Sequence, residues 1–177
     1  MDVGFLILGP DRNIAGLINT LSSIKNQTLK EKSIFVVGDD ANADDMKEFS
    51  NYCPSFKGSK TITSLINTGM EFIKSEWACM VFAGSRIPYD IEKKWNSFCK
   101  SEVDVLYPLV EKKYNFAEGT FNGVLINKRF FEKVGKFPTD TVPSFGLNDF
   151  EFAKLIWANN AVNHGVIFKG ILGMRVI

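Results

Sequence analysis

The sequence predicts an α/β protein: a largely parallel sheet covered by helices on both faces. Three observations carry this. Apolar runs at Val3 to Leu8, Ser33 to Val37 and Trp77 to Phe82 are continuous rather than alternating, the pattern of strands buried on both sides. Segments with apolar residues at helical spacing separate them. Short turns join the two kinds of segment, as in repeated β-α units.

Val3 to Leu8 is the first strand, closed by Gly9-Pro10. Asn13 can cap the helix that follows, whose apolar face is Ile14, Leu17, Ile18, Leu21 and Ile24. Ser33 to Val37 is the second strand, and it stops in Gly38-Asp39-Asp40. Met46, Phe49 and Tyr52 place a helix over residues 44–52, and Leu65, Ile66, Met70 and Ile73 place another over 63–74. Trp77 to Phe82 is the next strand. It ends in Ala83-Gly84-Ser85-Arg86, without a carboxylate. Pro88 and Asp90 introduce a helix over 91–98, and Val103 to Pro108 is a strand. Beyond Pro108 the alternation weakens. Phe121 to Ile126 reads as a strand, Lys128 to Val134 as a short helix closed by Gly135, and residues 138–146 as a loop. A helix over Asp149 to Ala158 and a strand over Val162 to Phe168 complete the pattern.

The chain of 177 residues, 45% hydrophobic, can bury one sizeable core and reads as one domain. Its net charge of +1 gives no electrostatic footprint for nucleic acid or an anionic membrane. Cys53, Cys79 and Cys99 lack metal-ligand spacing, which suits a reducing cytosol. No apolar run approaches the roughly 20 residues of a membrane span, and the N-terminus has no leader pattern. The expectation is a soluble, unprocessed, cytoplasmic protein.

Taken in order, these pieces resemble the inverting family 2 glycosyltransferases and their GT-A fold, a nucleotide-diphospho-sugar transferase-like three-layer sandwich with a largely parallel mixed sheet. Val3 to Thr28, ending in Asn26-Gln27-Thr28, looks like that family's opening strand, turn and helix. Val36-Val37-Gly38-Asp39-Asp40 is similar to its second strand and Asp-Asp turn, with Gly38 in place of the first Asp. Asn67-Thr68-Gly69 matches the end of an Ala-Arg-Asn-x-Gly helix start, with Ile66 where the arginine would be. Phe121-Asn122-Gly123, Phe131 to Gly135, Leu147 to Phe152 and Leu155-Ile156-Trp157 resemble the acceptor-side strand, the Phe-x-x-Val-Gly helix and the helix bearing the catalytic Asp.

The resemblance implies a nucleotide-sugar donor bound by residues 1–108 and an acceptor, whether glycan, lipid-linked or protein, met by residues 109–177. Asp39 would read the donor base, and Pro10, Asp11 and Asn13 would flank base or ribose. Asn67, Ser85 and Arg86 complete the implied substrate-binding set. Asp149 would be the general base that takes the acceptor proton. Each has a plainer reading: Asp39 as a turn former, Asn13 as a helix cap, Asn148-Asp149 as a helix start, and Arg86 as a solvated or ion-paired surface group. Glu151 is a weaker base candidate, and Tyr114 and Phe116 are candidate sugar platforms. Trp95 and Trp157 read as core, and His164 as a surface residue.

The family's Asp-x-Asp metal motif falls on Ala83-Gly84-Ser85. Mg²⁺ and Mn²⁺ want anionic oxygens, so no metal is expected there in the family's manner, and Arg86 is a candidate to neutralise the diphosphate instead. Two further readings stay open. One is a non-catalytic GT-A scaffold with a binding role, favoured by Ala83, Ser85 and Ile66. The other is a nucleotidyltransferase, for which Leu8 to Arg12 has only one glycine and one arginine. Ending at Ile177, soon after the last expected strand, the chain is expected to lack the C-terminal acceptor-binding helices or membrane-associating segment of larger relatives.

Overall fold

The computed structural model describes residues 1–9, 14–29, 31–38, 54–57, 61–99, 102–108, 122–139, 149–165 and 167–171. In chain order these form β1 (Asp2–Leu8), α1 (Ile14–Lys25), β2 (Glu31–Gly38), β3 (Ser55–Lys57), α2 (Ile62–Phe72), β4 (Trp77–Phe82), α3 (Ile91–Cys99), β5 (Val105–Pro108), β6 (Leu125–Asn127), α4 (Lys128–Val134), α5 (Asp149–Asn163) and β7 (Phe168–Ile171).

All seven strands join one sheet in the order β3-β2-β1-β4-β6-β5-β7. β3, β2, β1 and β4 run parallel; β6 pairs antiparallel with both β4 and β5, and β5 and β7 are again parallel. This is the largely parallel, mixed sheet that the sequence predicts.

Side-chain alternation along the strands splits the core into two layers. Val3, Phe5 and Ile7 of β1 face the same side as Trp77, Cys79 and Val81 of β4, and pack with Leu17, Leu21 and Ile24 of α1 and Ile91 and Trp95 of α3. Leu6, Leu8, Ala78 and Met80 face the other side, against Leu65, Ile66 and Met70 of α2, Phe130 and Phe131 of α4, and Trp157 and Ala161 of α5. Burying one such side chain contributes about 1.5–3 kcal/mol, so both faces of β1 and β4 must be covered. That requirement makes the three layers. Trp95 lies tilted against Phe5 at 6.1 Å, and Trp157 stacks on Phe137 at 4.6 Å, so both indoles are core.

Close approach explains a glycine in α2. A Cβ on Gly69 would lie 2.1 Å from Leu6 Cδ1, so only glycine lets this turn of helix sit against β1. Ile66, at the position where the resemblance would put an arginine, is fully buried in the same layer. An ionised side chain there would have to be taken out of water.

Several elements differ from expectation. The strand expected over 162–168 starts later: α5 runs on to Asn163, the His164 and Gly165 amides donate to the carbonyls of Ala161 and Val162, and β7 begins at Phe168. Trp157 and Ala161, four apart and both buried, extend the helical face past Ala158, and Gly165 at φ +71° ends it. Of the strand expected over 121–126, the described part is regular strand from Leu125, ending at Asn127, because Gly123 turns at φ +83° while donating to the Met80 carbonyl. β2 begins two residues before Ser33, at Glu31. β3, three residues long, has too short a pattern to be read from sequence. The helix expected over 44–52 lies outside the described residues.

Burial decides the chemistry of the described thiols. Cys79 sits within β4 with its pKa raised well above the ordinary thiol range by desolvation. Desolvation, aided by Glu76, pushes the half-buried Cys99 up to about 12, with the N-terminal charge opposing. The thiolate is the reactive form, so a thiol that burial keeps protonated reacts slowly. Mass-mapped alkylation of the native protein at pH 8 is expected to leave both sites unmodified under conditions that label them fully in urea. Rapid labelling of Cys99 in the native state would contradict this burial.

Candidate functional site

β1 lies at the centre of the parallel strands, and the chain leaves it in two directions. From β1 the chain passes through α1, on one face, to β2 on one flank; it later returns through α2, on the other face, to β4 on the opposite flank. The strand order therefore reverses between β1 and β4, and the crevice beyond the carboxyl ends of the strands at such a switch point is where open α/β sheets bind ligands.

Gly9, Gly38 and Ala83 end the three strands around this crevice. Gly9 donates to the Val37 carbonyl at 2.9 Å and takes φ +56°, and Ala83 donates to the Leu8 carbonyl at 3.1 Å. After β4 the chain reverses at once: Ser85 donates back to the Phe82 carbonyl at 3.0 Å, with Gly84 at φ +94°. That conformation suits glycine.

The β4 turn is tied to elements on both sides of it. From α1, the buried Thr20 donates through Oγ1 to the Ser85 carbonyl at 2.6 Å and accepts from the Gly84 amide at 3.0 Å. One turn on, Ser23 Oγ accepts from the Ile87 amide at 3.1 Å, and Gln27 Nε2 donates to the Pro88 carbonyl at 3.1 Å. Thr28 at the end of α1 donates to Glu92 of α3 at 2.6 Å. From the segment leading into β6, Asn122 accepts from the Phe82 amide at 3.0 Å and donates through Nδ2 to Ser85 Oγ at 2.9 Å. The polar face of α1 is thus a splint for residues 84–88. Replacing Thr20 by the isosteric valine leaves the Gly84 amide and Ser85 carbonyl without this partner, and is expected to cost about 2 kcal/mol. In urea this reads as a lower midpoint at unchanged slope. A change under about 0.5 kcal/mol would mean that Thr20 does not hold the turn.

Of the residues singled out in the sequence, Ser85 stands at the crevice and Arg86 follows it, exposed, on the α1 side. Ser85 is only 8% exposed and its hydroxyl is engaged by Asn122. With Ala83 and Gly84 it offers a divalent metal no carboxylate, and the described residues contain no cluster of three or more His, Cys, Asp or Glu. This turn does not fit a metal ion bound in the Asp-x-Asp manner. Asn67 lies within α2, buried. Its Nδ2 donates to the Phe137 carbonyl and its Oδ1 accepts from the Phe137 amide, each at 2.9 Å. Both ends of the amide thus clamp the segment after α4. Asp149 is the first residue of α5. Pro10, Asp11, Asn13 and Asp39 lie outside the described residues, as do Tyr114 and Phe116. His164 is exposed, and its carbonyl accepts from Lys133 Nζ at 3.1 Å.

Thr20, Ser23 and Asn122 escaped the sequence reading. Their one visible signal is polarity: Thr20 and Ser23 are hydrogen-bonding residues among the apolar positions of α1 that face the sheet.

Compared with solved structures, the chain is similar to S. aureus TarS at a TM-score of 0.70 and 11% identity, covering 99% of this chain and 36% of that one. It is similar to residues 1–349 of S. aureus TarS in complex with UDP at a TM-score of 0.65 and 13% identity, covering 99% of this chain and 59% of that one. It is also similar to the mannosyltransferase PcManGT from Pyrobaculum calidifontis, in complex with GDP-Man and Mn²⁺, at a TM-score of 0.69 and 13% identity, covering 95% of this chain and 54% of that one. The chain therefore spans between 36% and 59% of the length of these structures. No family model matches the sequence, and no curated protein matches it. The likeness establishes a GT-A-like fold. Fold alone does not assign chemistry.

Proposed function

We propose that the chain binds a nucleotide-diphospho-sugar in the crevice above β1, β2 and β4 and transfers the sugar, with inversion, to an acceptor hydroxyl. The observation that carries this reading is the reversal of strand order between β1 and β4, the position at which this class of sheet takes nucleotides. The solved structures of similar fold support it, since one is titled as a UDP complex and another as a mannosyltransferase with GDP-Man. The chain is read as one unit, with residues 1–108 on the donor side and 109–177 on the acceptor side.

In this reading Asp39 accepts from the donor base, while Pro10, Asp11 and Asn13 flank base and ribose. Asn67 enters as a positioning residue, since its amide holds Phe137. Ser85 shapes the turn beneath the diphosphate, and Arg86 supplies the positive charge that the turn lacks. Asp149 takes the proton from the acceptor hydroxyl as its oxygen forms a bond to the anomeric carbon, and the bond from that carbon to the diphosphate breaks. The nucleoside diphosphate leaves with the electron pair. We expect this to proceed without a metal in the Asp-x-Asp mode, in a cytoplasmic protein. Among the described residues no helix is long and apolar enough to cross a membrane.

A second reading is a scaffold that keeps the crevice and has lost transfer. The engagement of Ser85 by Asn122, in a turn without carboxylates, favours it. Isothermal titration with UDP, GDP and their common sugar conjugates, each with and without Mn²⁺, separates the two. Metal-independent binding of a sugar nucleotide is the expected result. Binding only with Mn²⁺ would overturn the account of the diphosphate site, and no binding under either condition would remove the donor reading and leave the scaffold.

A further inference from the structure

Beside the strand-end crevice, on the face of the sheet that α1 and α3 cover, lies a second cleft of about 440 Å³. It runs between α1 and the segment leading into α3, with Asn19, Ser22 and Asn26 on one wall and Arg86, Pro88 and Tyr89 on the other. We infer that this cleft is a saccharide-binding site, distinct from the nucleotide crevice, that takes a neutral oligosaccharide.

Its size falls in the range of about 300–1,000 Å³ that holds small ligands. Its chemistry narrows the class. Asn19 and Ser22 share one face of α1 and Asn26 lies just past its end, all three exposed. Their carboxamides and hydroxyl each donate and accept, as do the vicinal hydroxyls of a sugar. Tyr89 is 70% exposed and offers an apolar platform beside those polar groups. Among the described residues no carboxylate lines the cleft. Arg86 is the one charged residue among the described residues lining the cleft, and the rest of that lining is uncharged. An extended peptide would want an unpaired strand or apolar pockets, whereas Ile87, the aliphatic side chain in the lining, is already 4% exposed within the core.

The two walls are also held in place before any ligand arrives. Ser23 accepts from the Ile87 amide, and Gln27 bridges the Ser23 and Pro88 carbonyls at 2.9 and 3.1 Å. A preformed wall lowers the ordering cost that limits saccharide affinity.

The test uses the full chain and three neutral probes, chitotetraose, mannotetraose and maltotetraose, titrated by calorimetry beside UDP. At least one probe is expected to bind with one-to-one stoichiometry. Tyr89→Ala is expected to weaken it about 10-fold, the upper end of what a stacked ring supplies. Ser22→Trp, which fills the cleft from the exposed face of α1, is expected to abolish binding. Neither variant is expected to move the melting temperature or the UDP isotherm, so a failure of this site and a failure of the nucleotide reading are told apart. Absence of binding by all three probes would overturn the inference. So would saccharide binding that UDP displaces and that Ser22→Trp leaves intact.

Discussion

Asn67→Ala is expected to destabilise the protein by about 4 kcal/mol, since it strips partners from two buried backbone groups at once. The Asn67 carboxamide meets both the amide and the carbonyl of Phe137 at 2.9 Å, and Asn67 and Phe137 are both buried. Each backbone group left unsatisfied costs about 1–3 kcal/mol, which a water cannot readily recover inside a packed layer. The consequence spreads through contacts. Phe137 stacks on Trp157 and lies 5.8 Å from Phe131, so the clamp fixes where α4 and α5 meet α2. For a chain of this length the loss corresponds to a melting-point drop of about 8–16 °C. Asn67→Asp keeps an acceptor for the Phe137 amide but sets a carboxylate oxygen against its carbonyl, so it should be destabilised as well. A loss below about 1 kcal/mol for the alanine variant would show that the clamp carries little.

The second large effect belongs to the proposed chemistry. Asp149→Asn is expected to lower turnover of the sugar-nucleotide donor by about 100- to 10,000-fold, the range that a positioned general base supplies. The choice of asparagine is deliberate. Asp149 opens α5, and at a helix start asparagine is about as favourable as aspartate. Only the helix dipole notices the missing charge, at about 0.3–1 kcal/mol. The substitution therefore separates the two readings of this residue. If Asp149 is the base, turnover falls, nucleotide affinity and thermal stability hold, and the acidic limb of the pH-rate profile disappears. If turnover is unchanged, Asp149 starts a helix and nothing more.

These two residues also show what could be read in the chain and what could not. α4 was legible to the residue because its end is marked locally by Gly135, which takes φ +96°, while the structure adds the cap at its start, where Asn127 accepts from the Arg129 amide. β1 and β4 were legible because strands buried on both faces must be apolar throughout. The end of α5 was misread because Val162 favours a strand locally, while the burial of Trp157 and Ala161 continues the helix. Asn67 attracted notice as a member of a motif, yet no local pattern points to Phe137, 70 residues away.

By itself the sequence determined the layered α/β class, most of the element types and the absence of carboxylates after β4, since these follow from side-chain polarity over a few residues. Tertiary structure alone decided the strand order, the reversal of β6, the splint that α1 forms for residues 84–88, and the cleft that this splint leaves beside the crevice. Each of those depends on hydrogen bonds and packing between residues far apart in the chain. Such contacts are set by which surfaces must be buried together, and they leave no periodic trace in either partner.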